Sequence, residues 1–214
     1  MNAVPYWRLS GFYFFYFAFV GAISPFWGLY LQSLTYSAVE IGVLMSLLQV
    51  MRIFAPNIWG HLADRSGRRT TIVQLAAFGS ALAFAGVFFG SGFWWMFAVM
   101  AAVSFFWSAS LPLVEAMTLS HLGERIDAYG RIRLWGSIGF IVMVVGLGYA
   151  FDYVAIAWLP WAVLAVMLGI AAFARVIPEA EILAHQGDHQ PLREVVRRPE
   201  VAALLVACLL MAVT

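Results

Sequence analysis

The chain has 214 residues, 64% of them hydrophobic and only 11% charged, so a water-soluble domain of this size would lack the polar surface to cover itself. Twelve basic residues, all arginine, nearly balance eleven acidic ones for a net charge of +1, which excludes a basic nucleic-acid footprint and an acidic tail. The unit to count is therefore the membrane span, since each crossing helix consumes roughly 20 apolar residues.

Apolar runs interrupted by polar clusters predict spans at 10–31, 39–60, 71–90, 93–118, 132–151 and 154–175, with a seventh starting near 201. Helices are the expected form, because lipid cannot satisfy open backbone groups and the runs lack the alternation of barrel strands. The first run, Gly11 to Leu31, exceeds the roughly 7–15 residues of a signal-peptide core and has no convincing small-residue cleavage site. It reads as a retained span. Loops His61–Arg69, Ser120–Arg133 and Arg175–Arg198 carry nearly all the arginines, whereas Gln32–Glu40, Gly90–Gly92 and Phe151–Tyr153 carry none. The positive-inside rule puts the arginine-bearing loops and the amino terminus, with Arg8, in the cytoplasm. Trp7, Trp94, Trp95, Trp158 and Trp161 fall near span ends, where indole rings favour the headgroup layer.

The expected architecture is an all-α membrane protein: a six-helix bundle at 1–176, a cytoplasmic linker at 177–199 and the start of a seventh helix at 200–214. The charged stretch Pro178 to Pro199 suits a junction between two six-helix halves. The last apolar run is too short to cross a roughly 30 Å core, so the expectation is one part of a longer protein. Cys208, within that run, reads as a buried, inert thiol. With no HExxH, no GxSxG and no cluster of Cys or His at ligand spacing, neither an enzyme nor a metal or cofactor site is expected. His61, His121, His185 and His189 are all placed in cytoplasmic loops and read as solvated.

Three charged constellations remain. Between spans two and three stands Gly60-His61-Leu62-Ala63-Asp64-Arg65-Ser66-Gly67-Arg68-Arg69. Its two glycines permit a tight reversal, and Asp64 can pair with nearby arginines or face the positive end of a neighbouring helix. A basic loop that only sets topology is the plainer alternative. The segment closely resembles the signature of the major facilitator superfamily at the same place. The resemblance implies that Gly60, Asp64, Arg65, Gly67, Arg68 and Arg69 form a clasp that latches one conformation as two halves rock.

Glu115 is the only acidic residue well inside a predicted span, where an ionisable group needs a partner or a wet cavity. Spans four and five form a hairpin whose centre is Glu124, midway between Glu115 and Arg133, so the two charges are expected at similar depth. Ser104, Ser108 and Glu115 fall near one helical face, as do Arg133, Ser137 and Phe140 on the next span. Facing stripes would line a cavity; a structural ion pair closing the hairpin is the other reading. Val114-Glu115-Ala116 and Tyr129-Gly130-Arg131-Ile132-Arg133 resemble the corresponding segments of the lactose-permease group of proton symporters. That resemblance implies substrate binding by Glu115 and Arg133. The sugar-stacking Trp of the group aligns with Phe140, which disfavours a galactoside, and residues 129 to 140 look more like the phenylpropionate-permease branch.

Arg52 shares a stripe with Ser46 and Gln49 and precedes Pro56-Asn57. It either snorkels to the cytoplasmic surface, two turns away by the predicted span limits, or faces a central cavity. In the second case Arg52 and Arg133 outnumber Glu115 and favour an anion such as an aromatic carboxylate. The family likeness thus implies proton-coupled symport of a small organic solute across the cell inner membrane, in concert with a carboxy-terminal half. Sugars and nucleosides are alternatives, and so is a sensor on the same fold.

Overall fold

The structure, a computed structural model, describes residues 4–123, 125–179 and 201. Six long helices follow in order: α1 (Tyr6–Ser33), α2 (Ala38–Ser66), α3 (Arg69–Ala85), α4 (Phe93–Leu122), α5 (Tyr129–Phe151) and α6 (Leu159–Val176). Short 3₁₀ turns at Gly86–Phe88, Ile126–Ala128 and Ile156–Trp158 extend α3 and introduce α5 and α6. With those extensions, all six are long and apolar enough to cross a membrane, as the six apolar runs required. They lie in one compact unit. The expected seventh span apart from Val201, together with Cys208, His185 and His189, falls outside the described residues.

The helices overrun the predicted limits on the arginine-rich side. α2 continues to Ser66, α4 to Leu122, and α5 already begins at Tyr129, so His61 and His121 are helical and not in loops. The physical reason is that a helix keeps its hydrogen bonds internal and does not stop where apolarity stops. Gly60 consequently sits within α2, and the reversal falls to Gly67 alone. Its φ of 65° is left-handed, and its N–H donates to the Ala63 carbonyl at 3.0 Å, closing the helix. At the other end of α2, Ser37 and Glu40 form a capping box.

In the bundle, α1 packs against α5 and α6, α6 against α3, α3 against α4, and α4 against α2. Half or more of the central windows of α1 and α4 is buried, against 17% for α2 and 11% for α5, so the helices at the ends of this series are the least covered. α1 contributes a dense aromatic core of Phe12, Tyr13, Tyr16, Phe19 and Trp27.

The α1–α5 seam is closed by missing side chains. A Cβ at Gly139 would run into the Phe14 carbonyl oxygen; one at Gly21 would lie 2.8 Å from the Phe140 oxygen. Close approach of this kind gives helix pairs in lipid their dispersion energy. Gly146, further along α5, takes no part in the seam, since a Cβ there would meet nothing within 4 Å. On the opposite side, the Tyr36 hydroxyl donates to the Ser91 carbonyl at 2.5 Å and joins two short loops. Trp7, Trp94, Trp95, Trp158 and Trp161 are all exposed, as headgroup anchors must be.

Candidate functional site

The hairpin argument brings Glu115 and Arg133 together. Arg133 Nε lies 3.9 Å from Glu115 Oε1, and the Tyr129 hydroxyl donates to the same oxygen at 3.5 Å. The guanidinium stacks 3.9 Å from the Phe17 ring centre and 5.5 Å from that of Tyr13. Both charged side chains stay about one third exposed, at 31% and 37%. This is a loose contact, not the tight two-bond fork that arginine and carboxylate can form. Hydrogen-bonding capacity is left over on both partners. Gly136 makes room for the stack, since a Cβ there would come within 2.7 Å of Phe17 and 2.8 Å of Arg133 Nη1. Glu115 is seven residues from the end of α4, hence roughly 10 Å along the axis.

The two polar stripes do not face each other in full. Ser104 and Ser108 are buried, and their hydroxyls donate to the Met100 and Phe105 carbonyls of their own helix. A serine surrounded by apolar neighbours finds its own backbone first. Ser137 is exposed one turn beyond Arg133, and Phe140, two turns along, is half-buried with its carbonyl against Gly21. Neither makes a hydrogen bond or ion pair with Glu115 or Arg133 in the described residues.

Arg52 lies at the midpoint of α2 and beside Trp107, which is near the middle of α4. α2 runs 14 residues to either side of it, roughly 21 Å each way, which sets Arg52 at the centre of the helix and not two turns from its end. The turns beyond Gly60 carry His61, Asp64 and Arg65 and lie outside the apolar run, whose end is eight residues, roughly 12 Å, from Arg52, and the side chain does not run free toward that end. Instead its Nη1 donates to Gln49 Oε1 at 3.2 Å, and its guanidinium sits 5.3 Å over the Trp107 ring. Trp107 stacks face to face on Tyr16, at 4.6 Å and 8°. Tyr16 meets Phe17 edge-on, at 5.3 Å. An aromatic series on α4 and α1 therefore separates the two inner arginines, Arg52 at one end and Arg133 at the other.

At the tip of the α2–α3 turn, Arg69 Nη2 and Asp64 Oδ1 pair at 3.3 Å. Arg65 and Arg68 are exposed beside them. The positive end of α3 is taken not by Asp64 but by Glu179, whose carboxylate accepts from the Thr70 N–H at 3.1 and 3.2 Å. His121 Nε2 lies 3.2 Å from the Pro178 carbonyl oxygen. The start of the expected linker is thereby seated on the ends of α3 and α4. Sequence reasoning missed Glu179; its signal was an acidic residue directly after the Pro that ends a span, close to the exposed amino end of another.

Six apolar crossing helices with their few inner charges gathered on neighbouring helices define a polytopic α-helical membrane protein. Comparison with known proteins takes this further. Residues 6–214 match the model of the MFS_1 like family, and the chain belongs to that family of the major facilitator superfamily. It is 35% identical over 169 residues to a maltose permease of Geobacillus stearothermophilus, covering 78% of this chain and 43% of that one. To a "Probable 3-phenylpropionic acid transporter" of Escherichia coli (strain K12) it is 27% identical over 177 residues, covering 81% and 46%. The crystal structure of the nucleoside transporter NupG (D323A mutant) superposes with a TM-score of 0.78 at 18% identity, over 94% of this chain and 50% of that one. That last likeness shows the fold alone. The chain spans about half the length of the proteins it matches. It is a multi-pass membrane protein of a transporter family.

Proposed function

We propose that the full-length protein is a secondary active transporter that moves a small organic carboxylate of the 3-phenylpropionate type by alternating access, in symport with a proton, and performs no covalent chemistry on it. The observation that carries this reading is the Glu115–Arg133 pair. It is held loosely at 3.9 Å, flanked by Tyr129 and Phe17, and still partly open. A solute can take one partner's hydrogen bonds without prising apart a tight fork.

Arg52 supplements the charge, and Ser137 and Phe140 line the α5 side of the path. The sparsely covered α2 and α5 receive a carboxy-terminal half, beginning at 200 after the linker 177–199, against which residues 1–176 rock. Gly60, Asp64, Arg65, Gly67, Arg68 and Arg69 latch the cytoplasmic face; Asp64 is 71% exposed and so can be reached by a partner surface. The arginine bias supports a cytoplasmic amino terminus in the cell inner membrane.

Likeness to a maltose permease supports a sugar as the second reading, and a nucleoside follows on weaker ground, from the fold. Proteoliposomes bearing the full-length protein and an inward proton gradient separate these possibilities. 3-Phenylpropionate should accumulate above its outside concentration and leak back when a protonophore is added. Glu115→Gln and Arg133→Gln should abolish both binding and uptake while membrane insertion persists. Accumulation of maltose or uridine alone would replace the substrate. Binding without accumulation would make the protein a sensor. Uptake that survives both substitutions would refute the site.

A further inference from the structure

Resting on the reading of this bundle as a solute carrier, we infer that α1, α2 and α4 build a separate carboxylate subsite, with Arg52 as its cation. It lies deeper in the membrane than the Glu115–Arg133 pair. A cavity of about 100 Å³ opens where these three helices meet, lined among others by Ser24, Gln49, Arg52 and Trp107. Space of this size takes a carboxylate group, or about three waters at roughly 30 Å³ each.

The charge arithmetic selects the ligand. Arg133 is matched by Glu115, so that pair is neutral as a unit, whereas Arg52 meets only neutral groups among the described residues: Gln49, the Tyr16 hydroxyl and the face of Trp107. An arginine kept near the membrane centre without a counter-charge attracts an anion more strongly than one already paired. Trp107 adds a second sign of an unfilled place. It is 3% exposed, and its indole N–H has no hydrogen-bond partner among the described residues. A buried donor left unmade is expensive enough that one usually finds an acceptor, from water or ligand.

Position along the helix then sets the shape of the ligand. Trp107 precedes Glu115 by eight residues of α4, roughly 12 Å of rise, so the two sites stand at different depths on one wall. The carboxylate end of an elongated solute goes to Arg52, with Gln49 and Ser24 as neutral donors. Its aromatic end lies along Tyr16 and Phe17, and the Glu115–Arg133 pair exchanges hydrogen bonds with the carboxylate as it passes. Trp107 is a positioning residue: its ring face lies 5.3 Å from the guanidinium of the exposed Arg52 and orients it without carrying charge. A neutral solute gains nothing from this arrangement, so Arg52 determines acid against neutral selectivity.

The test is equilibrium binding to the full-length protein in detergent, using two probes that differ only in charge, 3-phenylpropionate and 3-phenylpropanamide. The wild type should prefer the acid by roughly tenfold or more. Arg52→Gln should lose that preference by weakening the acid while leaving the amide within about threefold, and Arg52→Lys should keep part of it. Trp107→Phe should retain the preference better than Trp107→Ala if stacking is what orients Arg52. Monodisperse elution of each variant guards against misfolding, and should Arg52→Gln fail to fold, the Lys and Trp107 variants carry the test. Equal binding of both probes by the wild type, no binding of the acid up to its solubility, or an undiminished acid preference in Arg52→Gln would each overturn the subsite. The last outcome would mean that another group neutralises Arg52. Failure of the carrier reading looks different, because acid preference dependent on Arg52 would then persist without accumulation in proteoliposomes.

Discussion

Replacing Gly139 by alanine tests the α1–α5 seam most directly. The added Cβ would overlap the Phe14 carbonyl oxygen and stand 2.8 Å from its carbonyl carbon and 3.0 Å from its Cα. All three are backbone atoms of α1, so no rotamer change removes the clash. Relief requires the helices to part by roughly 1 Å, because carbon atoms rest at about 3.5–4.0 Å. Overfilling a packed site in this way costs about 1–3 kcal/mol, and in lipid no hydrophobic force between helices offsets lost contact. Gly146, on the same helix with nothing within 4 Å, is the matched control, and its alanine variant should stay within about 0.5 kcal/mol of wild type. Denaturation in mixed micelles, followed by helix circular dichroism, reads both. If Gly139→Ala and Gly146→Ala unfold together, the seam is not closed by backbone contact, and the packing given for Phe17 and Arg133 falls with it.

At the α2–α3 turn, Gly67→Ala should destabilise by about 1–2 kcal/mol, because φ is left-handed there, whereas Gly60→Ala, in the helix interior with open space around it, should be neutral or slightly stabilising. Equal effects in a thermal melt would contradict the assignment of the reversal to Gly67. Glu179→Ala should remove the carboxylate from the amino end of α3 and lose about 0.5–2 kcal/mol locally, seen as faster hydrogen exchange at the amides of Thr70 to Val73; unchanged exchange would sink this cap. A single cysteine at Arg65, in a Cys208→Ser background, should react with an impermeant maleimide in inside-out vesicles and not in intact cells. Reaction in intact cells would reverse the proposed topology.

The legible part of this fold was what the bilayer dictates. A crossing helix must be apolar over most of its length, so runs such as Phe93 to Met117 announced themselves, and the depth match of Glu115 with Arg133 followed from counting to the middle of a hairpin. Helix ends were not legible in the same way. Composition reports where lipid stops, but α2 carries its internal hydrogen bonds on to Ser66, so Arg52 is the midpoint of the helix while staying eight residues from the end of the apolar run. Contacts between distant segments were equally hidden. Nothing in the periodicity of α4 says that Trp107 will stack on Tyr16, or that Ser104 and Ser108 will turn to their own backbone instead of toward Glu115. Such choices depend on which neighbours crowd the face, and neighbours are a property of the bundle.

The two inner cations differ in how readily a solute can claim them. At 3.9 Å and an effective dielectric of about 20, Arg133 and Glu115 attract by about 4 kcal/mol before discounting, and their one-third exposure brings this down toward the roughly 1 kcal/mol of solvated pairs. A ligand hydroxyl or carboxylate can therefore displace one partner cheaply, and the pair can re-form when the ligand leaves. Arg52 offers no such exchange, having among the described residues only neutral partners to give up, an amide, a phenol and an indole face. An anion that reaches it gains attraction without breaking an ion pair within this bundle. A releasable pair seven residues from the end of α4, and at the centre of α2 a cation with no acidic partner among the described residues, would offer the proposed anionic solute a weaker site and then a stronger one.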